Sequence, residues 1–131
     1  MTAAQLILDA SGVRRLADQS TASLALIRSL RDEGLWPPVV PSVVVVDALT
    51  GDAERDAPIV RLLVCCKIVT NVARPIAERA AWLRTAAGRG VAADAIVVAL
   101  AEPRGAVLTG GRRDAIEAMA LFADEVFAER A

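Results

Sequence analysis

The chain contains no histidine. That removes imidazole as a general base, the Ser-His-Asp and Cys-His nucleophilic sites, and zinc held by histidine. Any catalysis must run on carboxylates, hydroxyls, Cys, Lys or Arg. Tyrosine is absent and aromatics make up 3%, so the core has to be built from Val, Leu, Ile and Ala. Two cysteines are too few for a disulfide framework or a zinc site. Cys65 and Cys66 are also adjacent, which makes a poor structural bridge; they read as buried, reduced thiols. Neither sign of charge dominates: 15 basic against 16 acidic residues give a net charge of −1. Only local patches could bind nucleic acid. The longest apolar stretch, 35–46, contains Pro37, Pro38 and Pro41 and is too short to span a membrane. The first apolar run has no basic segment ahead of it and is cut by Asp9, so it does not read as a signal peptide. A cytoplasmic protein without membrane association is expected.

What the chain does contain suffices for a packed core. Its 131 residues are 55% hydrophobic, and no repeat, linker or low-complexity stretch divides them. Residues 1–131 are expected to form a single domain. The first segment, Leu6-Ile7-Leu8-Asp9-Ala10-Ser11-Gly12, runs three apolar residues into an aspartate and small polar residues. That is how a buried parallel strand ends at the carboxyl edge of a sheet. A short helix over 13–17 follows. The next, over 21–33, has Ser20 as its cap, Leu24, Ile27 and Leu30 as its apolar stripe and Gly34 as its stop. A strand over 38–40 leads to a helix over 43–50, capped by Ser42 and closed by Gly51. Its four consecutive valines favour a strand; cap, stop and length decide for helix. The pattern continues with a buried helix over 57–67 that has Pro58 in its first turn, and a strand over 68–72. A helix opened by Pro75 and followed by Gly88 comes next, then an apolar central helix over 91–101. A strand over 106–109 and a closing amphipathic helix over 112–129 complete the chain. Strands alternating with helices predict an α/β fold, a three-layer α/β/α sandwich around a mostly parallel sheet.

Three aspartates interrupt apolar segments: Asp9, Asp47 in Val43-Val44-Val45-Val46-Asp47-Ala48-Leu49, and Asp94 in Val91-Ala92-Ala93-Asp94-Ala95-Ile96-Val97-Val98. A carboxylate buried without a partner protonates or finds a cation. Carboxylates gathered at one site repel, and a hard cation such as Mg²⁺ or Mn²⁺ removes that repulsion. Each aspartate also has a plain structural reading. Asp9 fits a helix N-cap, Asp47 the wet side of an amphipathic helix, and Asp94 the cap of a helix starting at Ala95. Arg14 and Arg15 follow Asp9, and Arg112 and Arg113 follow the last predicted strand. They read either as solvated surface charges or as contacts for RNA phosphates. Arg112 and Arg113 would sit in a first helical turn, where cations oppose the helix dipole. Thr109 is placed to orient an acid or a metal-bound water.

These segments, in this order, resemble the PIN-domain ribonucleases, in particular the VapC-type toxins of bacterial toxin–antitoxin pairs. Leu8-Asp9-Ala10-Ser11 resembles the first motif of that family. Val40-Pro41-Ser42 through Asp47-Ala48-Leu49-Thr50-Gly51 resembles the second. Residues 77–83 and Asp94-Ala95-Ile96-Val97-Val98-Ala99-Leu100-Ala101 resemble the third, and Gly105-Ala106-Val107-Leu108-Thr109 the last strand. The resemblance implies a PIN fold, a Mg²⁺ or Mn²⁺ site and endoribonuclease activity leaving 5′-phosphate and 3′-hydroxyl ends. It further implies a structured RNA target, a homodimer and a cognate antitoxin whose tail blocks the site. Asp9, Asp47 and Asp94 would be the metal-site acids, with Ser11 and Thr109 in support.

Two departures from the family pattern stand out. The second acid is usually glutamate, and Asp47 is one methylene shorter. The fourth acid usually comes two residues after the threonine of the last strand, where this chain has Gly111. Asp114 follows closely and could substitute, although an aspartate in an early helical turn has a structural reason to be there. Two functions therefore compete: a ribonuclease with a reduced site, and a non-cleaving PIN domain that binds RNA or protein.

Overall fold

The computed structural model describes residues 3–111 and 114–130. Its strands are β1 (Leu6–Leu8), β2 (Val39–Pro41), β3 (Lys67–Val69), β4 (Ala106–Thr109) and β5 (Phe127–Arg130). Its helices are α1 (Ala10–Ala17), α2 (Thr21–Asp32), α3 (Ser42–Ala48), α4 (Ala53–Val64), α5 (Arg74–Ala87), α6 (Ala92–Ala101) and α7 (Asp114–Ala120). The strands form one sheet in the order β3-β2-β1-β4-β5, every pair parallel. Helices α1 to α4 pack together on one face and α5 to α7 on the other. The result is a PIN-like three-layer sandwich.

The central strands owe their place to sequence. β1 and β4 are buried along their whole length, and Ile7 lies between Val39 and Val107. Ile7 and Val107 have no exposed surface; burying a side chain of this kind contributes about 1.5–3 kcal/mol. Because α1 and α3 start directly after β1 and β2, both begin at the carboxyl edge of the sheet. α6 leads into β4 and so runs opposite to the strands, which brings its first turn to that same edge. One edge therefore receives Asp9, Asp94 and the helix that carries Asp47.

The helical reading of α3 holds, and several other expectations are corrected. α3 is a helix despite its valines, because Val44 and Ala48, four residues apart, are both buried and tertiary packing outweighs propensity. Pro41 rather than Ser42 stands at its N-cap, and it ends at Ala48, before Gly51. α4 begins at Ala53, where Asp52 accepts hydrogen bonds from the Glu54 and Arg55 amides. Pro58 thus lies beyond the first turn, and the helix is half-exposed, with Val64 81% exposed. Cys65 is exposed and Cys66 half-buried; burial, with the Cys65 neighbour adding to it, pushes the Cys66 thiol up to about 12.

The largest correction is at 112–129. The helix there is short, and the chain turns to form β5 alongside β4. Ile116 and Met119 are buried, but Leu121, which would extend the helix, is 84% exposed. The turn is held from outside: Arg79 makes a two-point ion pair with Glu102 (2.8 Å and 2.8 Å), and Glu102 accepts the Asp124 amide at 2.7 Å. β5 gives the outer edge of β4 its backbone partners, a demand that helical periodicity cannot express.

Candidate active site

Asp9 is the N-cap of α1 and is 5% exposed. Its Oδ1 accepts the Gly12 amide at 2.7 Å and the Ser11 hydroxyl at 2.8 Å. The Ser11 oxygen lies 2.8 Å from the Thr109 hydroxyl and accepts the Gly110 amide at 2.9 Å. Ser11 has one proton and gives it to Asp9, so Thr109 is the donor in the Ser11–Thr109 bond. Oδ1 is thus saturated. Oδ2 accepts no hydrogen bond among the described residues, yet no buried side-chain polar atom there lacks a partner. Oδ2 is therefore the part of Asp9 that solvent reaches. Asp9 caps the helix through Oδ1, as its plain reading expects, and Oδ2 is left without a hydrogen bond from any described residue.

This arrangement depends on two close approaches. A Cβ on Gly12 would run into the Leu108 carbonyl, and one on Gly110 would lie 2.5 Å from the Ser11 carbonyl oxygen. Only glycine lets the first turn of α1 lie directly on the end of β4. Sequence reasoning missed both glycines. The sequence reading starts the helix at residue 13, so the cost of Gly12 inside α1, up to about 1 kcal/mol relative to alanine, gave no signal there.

Asp94 lies in the first turn of α6, with Val91 rather than Asp94 at the cap. Its carboxyl is pushed above the ordinary carboxylate range by burial first, then by the charge of Asp9, then by that of Asp47. The fold therefore brings the three acids into one electrostatic neighbourhood. Asp47 is on an exposed part of α3, as its plain reading expects. Among the described residues, no three His, Cys, Asp or Glu side chains are grouped so as to hold a metal ion. The donors available are carboxylate oxygens without imidazole or thiolate. That set suits Mg²⁺ or Mn²⁺ rather than a softer metal.

The remaining predicted residues fall as follows. Arg14 donates to the backbone carbonyl of Asp47 at 3.0 Å. Arg15 pairs with Asp18 at 3.2 Å. Thr109 is fully buried. Asp114 is an exposed residue at the start of α7 and is not among the acids that act on Asp94. Arg112 and Arg113 lie outside the described residues. Gly111 has no positive φ, and a Cβ there would meet no described residue within 4 Å.

No protein-family model and no curated protein matches the chain. Solved structures do resemble it. FitAcB from Neisseria gonorrhoeae aligns over 93% of this chain and 96% of its own, with 18% identity and a TM-score of 0.59. The likeness is one of fold. No helix among the described residues is long and apolar enough to cross a membrane.

Proposed function

We propose that this chain is a metal-dependent endoribonuclease of the VapC toxin type. The observation that carries the reading is the charge of Asp9 and Asp47 acting on half-buried Asp94 at the carboxyl edge of the sheet. Three acids that repel one another without a cation favour binding one. Asp9, Asp47 and Asp94 would hold Mg²⁺ or Mn²⁺. Such an ion, when bound, lowers the pKa of a water and stabilises charge building on a phosphate. The chain's own part is to orient. Ser11, Thr109 and the Gly12 amide fix the plane of the Asp9 carboxylate and leave Oδ2 as its free oxygen. Arg14, Arg15, Arg112 and Arg113 are candidates for RNA phosphates, and the protein would work in the cytoplasm.

The three-layer fold that the sequence resemblance implies is the one observed, and FitAcB shares it. An antitoxin partner and a homodimer belong to the same proposal. Exposed Val46, Val60 and Val64 on α3 and α4 supply apolar surface for such contacts. The test is incubation of the purified protein with structured RNA. Cleavage with Mg²⁺ or Mn²⁺, leaving 5′-phosphate ends and stopping on chelation, is expected. Cleavage that persists in chelator would remove the metal from the proposal.

A second reading, a non-cleaving PIN domain that binds RNA or protein, draws on Gly111 and on the lack of a ready three-ligand group among the described residues. The Gly111→Asp substitution separates the two. Position 111 has ordinary backbone and no described residue within 4 Å of a Cβ, so the variant is expected to melt with the unsubstituted protein. In a reduced but working site it should raise cleavage on the order of tenfold by adding negative charge beside the metal. No cleavage by either protein with either metal leaves the binding reading standing.

A further inference from the structure

We propose that Arg14 and Asp56 are positioning residues for Asp47, holding its backbone from two sides; this rests on the metal-site reading of Asp47. The carboxylate of Asp47 takes no hydrogen bond from any described residue, so its place is set by the main chain that carries it. That main chain is the end of a seven-residue helix, and the last carbonyls of a helix have no partner within it. The Asp47 carbonyl is one of them. Arg14 reaches it from α1 with a 3.0 Å hydrogen bond, and a cation at a helix C-terminus is favoured by the dipole. α1 is also the helix that Asp9 caps. One guanidinium therefore ties the backbone of the second acid to the element that places the first.

The other hold lies just past the helix. Asp56, in α4, is buried. It accepts the Thr50 amide at 2.9 Å, the Thr50 hydroxyl at 2.9 Å and the Gly51 amide at 2.8 Å. Those bonds, the Thr50 amide foremost, keep its carboxyl below the ordinary carboxylate range, so it is an ionised acceptor at neutral pH. The span 47–51 is thus pinned at its first carbonyl by Arg14 and at its last two amides by Asp56. Aspartate has only two side-chain torsions. With its backbone fixed at both ends, a short acid stays in reach of Asp9 and Asp94 without the longer arm of a glutamate.

The test compares Arg14→Ala, Arg14→Lys and Asp56→Asn with the unsubstituted protein. NMR residual dipolar couplings of the Asp47, Ala48 and Leu49 amides are read without metal, and Mn²⁺ affinity is read by titration. Arg14→Ala is expected to change the couplings and to weaken Mn²⁺ binding about tenfold, the scale of lost supporting contacts at metal sites. The melting temperature should change little. Arg14→Lys, which can still donate to a carbonyl, should restore most of both. Asp56→Asn should change the couplings in the same span; if it fails to fold, the two Arg14 variants decide. Unchanged couplings in Arg14→Ala overturn the proposal. So does unchanged Mn²⁺ affinity beside weakened metal-free RNA binding, the signature of a phosphate contact. If the unsubstituted protein binds no Mn²⁺, the metal reading fails and the couplings alone decide whether Arg14 positions Asp47.

Discussion

The Asp94→Asn protein is expected to melt at a higher temperature than the unsubstituted chain at neutral pH without metal, and to cleave RNA at least a hundredfold more slowly, roughly the loss seen when one charge-stabilising group is removed. The stability gain follows from the raised pKa of Asp94. Burial and the charges of Asp9 and Asp47 disfavour its ionised form in the folded state. Above the raised folded pKa, the penalty is present in full. As pH falls from there toward the ordinary value of 3.8, the folded state takes up the proton first and the penalty disappears. Asparagine never carries it. The gap in melting temperature between the two proteins should therefore be widest near neutrality and close toward pH 4. Melts in chelator at both pH values check this. Equal melting at neutral pH would mean that the three carboxylates do not strain the metal-free fold. Added Mn²⁺ should reverse the order, because only the unsubstituted protein keeps all three acids.

Gly12→Ala is expected to destabilise the fold by about 3 kcal/mol, the upper end for overpacking a filled site. Helix propensity predicts the opposite sign, a gain of up to about 1 kcal/mol for alanine over glycine. The clash should win because the atom it meets is the Leu108 carbonyl, part of a strand paired on both sides. A backbone held in two ladders cannot step aside as a side chain can. The first turn of α1 must then lift from β4, which separates Ser11 from Thr109 and Gly110 and leaves Asp9 Oδ1 held only by bonds within that turn. Urea unfolding measures the loss, and Gly111→Ala, where a Cβ meets no described residue within 4 Å, serves as the control that should cost little. A Gly12→Ala protein as stable as the control would show that α1 does not depend on this close approach.

Much of the fold was legible where the deciding interactions are local. The β1 run, the Ser20 cap that accepts the Ser23 amide, the Gly88 stop in left-handed conformation and the apolar α6 all follow from neighbours a few residues away. β5 was not legible, because a charged, half-exposed tetrapeptide becomes a strand only when β4 offers it an edge. The candidate site divides in the same way. Aspartates in apolar runs pointed to Asp9, Asp47 and Asp94, whereas the hydroxyl chain from Thr109 through Ser11 to Asp9 joins residues with no sequence relation. Asp56 went unremarked for a similar reason: its acid looks like any first-turn carboxylate until the 49–52 turn folds over it.

β1, near the start of the chain, takes β4 as a sheet neighbour, and the bond from Gly110 to Ser11 spans 99 positions. During synthesis the N-terminal third of the molecule emerges long before the strand that completes its sheet. Contacts of such separation make folding slow and late. The Ser11 hydroxyl that donates to Asp9 therefore lacks its Thr109 and Gly110 partners on a growing polypeptide until residue 110 has left the ribosome. A nascent or prematurely terminated copy carries Asp9, Asp47 and even Asp94 without the geometry that would arm them. In a cell whose own RNA is the proposed substrate, the order of the strands would act as a delay on the proposed activity, set by translation itself.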